Sequence, residues 1–155
     1  MAPAWGSAQN SDQYRGEGYL FIGEGLLSAD SAHFGITHVG GGGKVWLSKG
    51  LGVDGELGAM GKPASGVGLF SVGPSYNLLH FSFQSRVVPF VDAGYTRAFG
   101  ARNYTRSANL ANFGCGINYW LFRRVGLRLD FRDDVDHGPR AVGHYPALRI
   151  GLAVR

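Results

Sequence analysis

A glycine-rich run that ends in a lysine is the first feature of this sequence that suggests chemistry. Residues 40–43 are all glycine and precede Lys44, as in loops that hold phosphate groups. Such a loop needs a further glycine six residues before the lysine and a serine or threonine directly after it. His38 and Val45 occupy those two positions, so the run instead indicates a glycine-rich strand that leaves space for Lys44.

A cluster of carboxylates could bind a divalent cation. Asp133, Asp134 and Asp136 lie between Arg132 and His137. Calcium requires six or more oxygen ligands at defined loop positions, and this spacing does not supply them. We therefore expect a solvated acidic loop, and we predict neither a metal nor a cofactor.

Serine and histidine pairs suggest a hydrolytic site. Ser31 is close to His33, and His80 is close to Ser82. A nucleophilic serine needs a base within hydrogen-bond reach, and that base is oriented by a third group. No recognisable catalytic motif surrounds Ser31 and His33, and His80 is expected near the opposite rim of the barrel. We predict no catalytic residue and keep an enzyme as an alternative.

The composition excludes several classes of protein. The chain of 155 residues has the length of one domain, and its 45% of hydrophobic residues argues against disorder. No apolar run approaches the ~18 residues of a transmembrane helix. Cys115 is the only cysteine, so neither an internal disulfide nor a four-thiolate zinc site can form.

The positive charge does not indicate a nucleic-acid partner. The net charge is +4 and the pI is near 9.5. However, the arginines are spread along the chain and alternate with acids, as at Arg128, Asp130 and Arg132. A nucleic-acid surface would carry one sign of charge.

Alternation with a period of two residues runs through most of the chain and predicts strands. Leu127, Leu129 and Phe131 alternate with charged residues, which a strand places on its opposite face. The pattern gives eight predicted strands, separated by turns rich in Gly, Ser, Lys and Arg. They run from about Glu17 to Leu27, Phe34 to Leu47, Leu51 to Met60, Gly66 to Leu79, Val87 to Ala98, Ala108 to Leu121, Gly126 to Asp134 and Leu148 to Val154.

The polar faces of these strands carry nearly balanced charges, which favours a barrel with a polar interior. Charges in a narrow interior must be paired, because burying one alone is costly. We predict an ion-pair network formed by Glu24, Lys44, Asp54, Glu56, Asp92, Arg128, Asp130, Arg132 and Arg149. Glycines share these faces, for example Gly42 and Gly116, and are expected to make room for long arginine and lysine side chains.

The apolar faces would then meet lipid. The predicted lipid-facing residues are Val45, Leu57, Val72, Val91, Ile117, Leu127, Leu129, Phe131, Leu148, Ile150 and Leu152. Aromatic residues near the ends of the even-numbered strands predict an interfacial belt of Trp46, Tyr76, Tyr119, Trp120 and Phe122.

The connections and two prolines bear on the same interpretation. The connections near Lys49, Gln84 and Arg123 are predicted to be short, and those near Asn103 and Gly138 longer, as for periplasmic turns and outer loops. Pro89 suits a strand start, whereas Pro74 would require a bulge.

Four stretches carry a family resemblance: GYLFIGEG, GGGGKVWLSKGLGVDGELGAMG, VPFVDAGYTRAFG and NFGCGINYWLFRRVGLRLDFRDDV. They resemble the small outer-membrane β-barrel family of the OmpA/OmpX-like, eight-stranded type. The resemblance spans about Glu17 to Arg155 and includes no catalytic signature. We expect an all-β, eight-stranded antiparallel up-and-down transmembrane β-barrel over residues 14–155. Residues 1–13 are expected to be a flexible tail or the remnant of a signal peptide.

The resemblance implies a non-enzymatic, monomeric protein of the bacterial outer membrane with a structural or surface-interaction role and no wide pore. Its expected partners are outer-membrane lipid and lipopolysaccharide, with periplasmic chaperones and the barrel assembly machinery during biogenesis. Two alternatives remain open. One is a barrel enzyme that modifies lipid A, as a deacylase or acyltransferase. The other is a soluble lipocalin-like barrel that holds an apolar ligand.

Overall fold

A computed structural model describes residues 15–29, 32–48, 50–61, 66–78, 86–100, 108–137 and 142–155 of the chain. The predicted N-terminal segment 1–13 lies outside the described residues, as do Ser31, His80 and Ser82. No helix in the described part of the chain is long and apolar enough to span a membrane.

Eight antiparallel strands close into a single barrel in which each strand pairs with its sequence neighbours and β1 pairs with β8. The strands are β1 (Gly16–Ala29), β2 (Ala32–Ser48), β3 (Leu51–Gly61), β4 (Val67–Asn77), β5 (Val87–Phe99), β6 (Ala108–Trp120), β7 (Val125–His137) and β8 (Val142–Val154). The predicted fold class, an all-β, eight-stranded antiparallel up-and-down barrel, is confirmed.

The alternation of side chains places apolar residues outside and polar residues inside. Arg128 is 1% exposed, whereas its neighbour Leu129 is 48% exposed. The same alternation holds on β8, where Arg149 is buried between exposed Leu148 and Ile150. All the residues predicted to face lipid lie on this outer face: Val45, Leu57, Val72, Val91, Ile117, Leu127, Leu129, Phe131, Leu148, Ile150 and Leu152.

On β1, the expectation that Glu24 points inward is wrong. Leu20 and Ile22 share its parity and are exposed on the outer face. Glu24 therefore lies outside with them, where its Oε1 accepts a hydrogen bond from Thr37 Oγ1 at 3.3 Å. The inward side chains of this strand are Glu17, Tyr19 and Phe21.

The barrel interior is layered along its axis. Tyr19, Phe21, Val88, Trp120 and Ala153 form an apolar layer near the end that carries residues 15 and 155. At the other end, a second apolar layer is built from Ile36, Met60 and Leu69. Buried charged side chains share the interior with these two layers, and Glu17 lies nearer to the end that carries residue 15 than Tyr19 and Phe21 do.

Several interior glycines accommodate aromatic rings, and Gly23 lies against the Arg149 side chain as the sequence suggested for long cations. A Cβ atom on Gly116 would lie 2.6 Å from the Phe90 ring, and one on Gly40 would lie 2.8 Å from the Phe21 ring. Gly42 faces Tyr19 in the same way. Each glycine thus lets a ring lie against the wall of a narrow barrel.

Pro74 does not produce the bulge that we expected. The β4–β5 pairing lapses at Gly73 and Pro74 and resumes in the same register, from Val72↔Tyr95 to Ser75↔Asp92. Pro74 still pairs with Val53 on the β3 side. Because proline has no backbone N–H, β4 loses its pairing with β5 at this point, but the register of the two strands does not change.

The expected difference in connection length between the two ends is also wrong. The β4–β5 connection, residues 78–86, belongs to the end that carries residues 15 and 155. It is longer than the β7–β8 connection, residues 138–141, which belongs to the other end. The longer connection near Asn103, residues 100–107, lies at that second end. Connection length alone therefore does not orient this barrel.

We expect Leu129→Arg to destabilise the protein in lipid by about 2–4 kcal/mol, because it places a charge on the outer face midway along β7. Leu51→Arg is the matched control, since Leu51 is similarly exposed (44%, against 48% for Leu129) but lies at the first residue of β3. Near the interface the same change costs only about 0–1 kcal/mol. Urea unfolding in lipid vesicles measures the free energy of unfolding of both variants. An equal loss for Leu129→Arg and Leu51→Arg would contradict the lipid-facing assignment.

A second prediction concerns the close contact of ring and glycine. Gly116→Ala should reduce the free energy of unfolding by about 1–3 kcal/mol, because the new methyl group overlaps Phe90 and the backbone of β7. Gly55→Ala is the control, since nothing lies within 4 Å of a Cβ at that position. An equal response of the two variants in the same unfolding assay would show that the interior tolerates the added volume.

Candidate functional site

The candidate site is the ionic network inside the barrel. Four cations, Lys44, Arg128, Arg132 and Arg149, are buried there. β7 supplies two of them because its polar face reads Arg128, Asp130, Arg132 and Asp134 at every second position. β2 and β8 supply Lys44 and Arg149 from the same alternation.

Arg149 occupies the centre of the network. Its Nε donates to Asp130 Oδ1 at 2.5 Å, and its Nη1 donates to Glu56 Oε1 at 2.8 Å. The guanidinium also lies 4.2 Å from the centre of the Phe21 ring. β8 is thereby connected through one side chain to β7 and, across the lumen, to β3.

Arg128 is held between two aromatic rings as well as two carboxylates. Its Nε donates to Asp130 Oδ2 at 2.6 Å, and its Nη1 lies 3.7 Å from Glu17 Oε1. The guanidinium carbon lies 4.1 Å from the ring centres of both Tyr19 and Phe90. Such stacking stabilises a desolvated cation in addition to its ion pairs.

Arg132 and Lys44 extend the network to its edges. Arg132 Nη1 donates to Glu56 Oε2 at 3.2 Å, and its Nε lies 3.9 Å from Asp134 Oδ1. Lys44 Nζ lies 3.9 Å from Asp54 Oδ2 and 4.4 Å from the Phe90 ring centre. The contacts of Lys44 are the longest of the four cations.

Neutral side chains complete the carboxylate contacts. Tyr19 Oη donates to Asp54 Oδ1 at 2.6 Å and lies 3.1 Å from Glu56 Oε2. Asn118 Nδ2 donates to Glu17 Oε1 at 2.7 Å. Thr96 Oγ1 donates to Asp134 Oδ1 at 2.8 Å. Of these carboxylate oxygens, only Asp54 Oδ1 lacks a cation within 4 Å among the described contacts, so neutral donors and cations share the others.

The structure brings together most of the residues predicted for the network. Lys44, Asp54, Glu56, Arg128, Asp130, Arg132 and Arg149 are joined by the contacts described above. Asp92 points inward beside Gly114 and lines a small cavity with Asp54 and Arg132, which has room for about one water molecule. Glu24 lies on the outer face and takes no part.

Sequence reasoning missed several members of the network. Glu17 and Asp134 are buried carboxylates, and Tyr19 and Phe90 supply the stacked rings. Asp134 shares the parity of Arg128 and Arg132, so the alternation on β7 already contained the signal for it. Glu17 and Tyr19 could have been found only by choosing the opposite parity for β1.

The predicted aromatic belt is only partly on the outer surface. Tyr119 and Phe122 are exposed, and Tyr76 has the outward parity. Trp120 instead points inward and belongs to the apolar layer. Trp46 also points inward, with its ring 5.1 Å from Lys44 Nζ. The expectation for these two tryptophans is wrong, because both are positioned to cover the interior at the end of the barrel.

The histidines do not form a recognisable catalytic centre within the described residues. His38 is buried edge-on to Phe21 at 5.0 Å between ring centres. His144 Nδ1 lies 2.8 Å from Asp133 Oδ2 on the outer surface. No group of three or more His, Cys, Asp or Glu that could hold a metal ion occurs in the part of the chain that the structure describes.

An apolar exterior around a polar, ion-paired interior is the arrangement of a transmembrane β-barrel. Among solved structures, the chain is similar to Neisserial surface protein A, with 17% identity, a TM-score of 0.69 and coverage of 91% of this chain and 97% of that one. It is also similar to the N-terminal β-barrel domain of Pseudomonas aeruginosa OprF, with 14% identity, a TM-score of 0.62 and coverage of 90% and 97%.

A third similar structure is Ail, the attachment invasion locus protein of Yersinia pestis, solved in complex with the heparin analogue sucrose octasulfate. It shares 12% identity with this chain, with a TM-score of 0.54 and coverage of 91% of this chain and 99% of that one. No family model matches the sequence, and no curated protein matches it either. At these identities the similarity establishes the fold.

The network predicts strong coupling between its members. Replacing Arg149 or Asp130 alone by an apolar residue should cost about 3–5 kcal/mol, because the remaining charge is left buried without its partner. Replacing both should cost much less than the sum of the two. Arg149 with Glu24 is the control cycle, since Glu24 lies outside the barrel, and its coupling should be near zero. Additive effects for Arg149 and Asp130 would contradict a buried pair.

Proposed function

We propose that this protein is a non-enzymatic integral barrel of the bacterial outer membrane with a structural or surface-interaction role. The observation that carries the proposal is the inverted distribution of polarity, with leucine, isoleucine, valine and phenylalanine outside and paired charges inside. A soluble lipocalin-like barrel would have the opposite arrangement, because its apolar face lines the ligand cavity. The similarity to barrels from Neisseria, Pseudomonas and Yersinia supports the location.

The lumen is proposed to be closed to solutes. Arg128, Arg149 and Lys44 are buried side chains that reach across the interior, and Trp120, the last residue of β6, is buried near one end of the barrel. Opening a path would separate ion pairs such as Arg149–Glu56 in a space that offers little water. An eight-stranded barrel is also just wide enough for its own side chains.

The proposed surface role falls to the connections at the end opposite residues 15 and 155. In the sequence, these connections carry Lys62, Arg102, Arg106 and Arg140. Their charge suits the phosphate groups of lipopolysaccharide, which we propose as a partner together with outer-membrane lipid. Periplasmic chaperones and the barrel assembly machinery are the proposed partners during biogenesis, and the protein is proposed to act as a monomer.

The location is tested by expressing the full chain in a Gram-negative host and separating the membranes. We expect the protein in the outer-membrane fraction, with faster gel mobility when the sample is not boiled, because a closed barrel resists unfolding by detergent. Recovery in the soluble fraction without detergent, with the same mobility before and after boiling, would overturn the proposal.

A closed lumen predicts the behaviour of reconstituted vesicles. Liposomes that contain the folded protein should swell in small sugars no faster than protein-free liposomes, because the ionic network occupies the barrel interior. A wide porin in the same lipid is the positive control. Swelling well above the protein-free rate would show that the network does not close the barrel.

A further inference from the structure

Arginines gather at the end of the barrel that carries residues 15 and 155. Arg15 precedes β1, Arg86 precedes β5, Arg123 and Arg124 form the β6–β7 connection, and Arg155 follows β8. The side chains of the first four are exposed, and that of Arg155 is half-exposed. We refer to these five residues as the arginine arc.

Backbone contacts make the arc continuous around half of the rim. Arg155 N donates to Arg124 O at 2.9 Å, and Arg155 Nε donates to Arg123 O at 3.1 Å. β5 joins the arc because Trp120 N donates to Arg86 O at 2.7 Å. Since β8 pairs with β1, Arg15 follows Arg155 around the wall. The arc therefore spans β5 to β1.

Three arginines of the arc, Arg15, Arg86 and Arg124, are not paired with the nearby acid Glu17. Glu17 is the second residue of β1, but it is buried inside the barrel and bound by Asn118 and Arg128. Arg15, Arg86 and Arg124 form no ion pair with any carboxylate among the described residues. These three side chains are therefore available to bind a ligand.

A band of exposed apolar side chains lies directly beside the arc on the outer face. Val87, Leu121, Phe122, Val125 and Val154 belong to it, and Phe122 is 72% exposed. Arginines that border such a band can keep their stems along the apolar surface while the guanidinium reaches the lipid headgroups. A guanidinium also binds phosphate with two parallel hydrogen bonds.

We propose that the arginine arc binds the phosphate groups of anionic glycerophospholipids, and that this rim selects phosphatidylglycerol over phosphatidylcholine at the barrel surface. This inference rests on the proposed membrane function. It extends that function by assigning a lipid class to one end of the barrel. The charge complementarity and the adjacent apolar band together favour a bilayer lipid as the occupant.

The test measures lipid association with the full chain folded into phosphatidylcholine vesicles. Trace spin-labelled phosphatidylglycerol or spin-labelled phosphatidylcholine is added, and the motionally restricted fraction gives their relative association. Each basic residue near an anionic surface contributes about fivefold to binding. We expect a several-fold preference for phosphatidylglycerol in the wild type, and its loss in 1 M NaCl, where charges are screened.

The variant Arg15→Gln/Arg86→Gln/Arg124→Gln should remove most of this preference. Arg97→Gln, an exposed position near the other end of β5, is the control and should retain it. Heat-modifiable mobility shows that each variant is folded. Folded wild type without a preference, or a preference that survives in the triple variant, would overturn the arginine arc alone. Failure of the wild type to enter any vesicle would overturn the membrane function itself.

Discussion

The absence of water in a bilayer interior is the constraint on which this structure depends. Backbone N–H and C=O groups that face hydrocarbon must be paired within the protein, and only a closed sheet can do this with strands. The pairing of β1 with β8, from Gly18↔Val154 to Gly25↔Ala147, closes the sheet over these residues. Closure then forces every second side chain into a narrow interior, so the packing of that interior follows from the same constraint.

The interior resolves this crowding by pairing bulky side chains with glycines and charges with opposite charges. Phe90 faces Gly116 on one side and stacks on Arg128 on the other. Arg149 bridges Asp130 and Glu56, which belong to strands on different sides of the barrel. Loss of one charge therefore affects several strands, whereas a change on the outer face affects only its contact with lipid.

The sequence could predict the fold because alternation is strongest where one face is charged. On β7 and β8, exposed apolar residues alternate with inward-facing residues from Leu127 to Phe131 and from Leu148 to Leu152. Both faces of these strands are predicted correctly. β1 carries apolar residues on both faces, Tyr19 and Phe21 inside and Leu20 and Ile22 outside. Its single charged residue near the centre, Glu24, therefore gave the wrong parity.

The contacts inside the barrel could not be predicted, because they depend on register and barrel closure. Glu17 is far from Asn118 and Arg128 in the sequence, and closure of the barrel brings the three side chains together. The inward orientation of Trp46 and Trp120 is likewise decided by the space that Gly52 and Gly126 leave beside them. Composition predicts aromatic residues at a strand end, but not which face they occupy.

The central claim, that the apolar outer face meets lipid, is tested most directly at Cys115. This cysteine is the only one in the sequence, and it is exposed on β6 between Val91 and Phe131. A spin label attached to it in the unaltered chain, reconstituted in vesicles, reports collisions with oxygen and with a water-soluble nickel chelate. If the outer face meets lipid, we expect frequent collisions with oxygen and few with nickel. Frequent collisions with nickel would place this face in water and contradict the account.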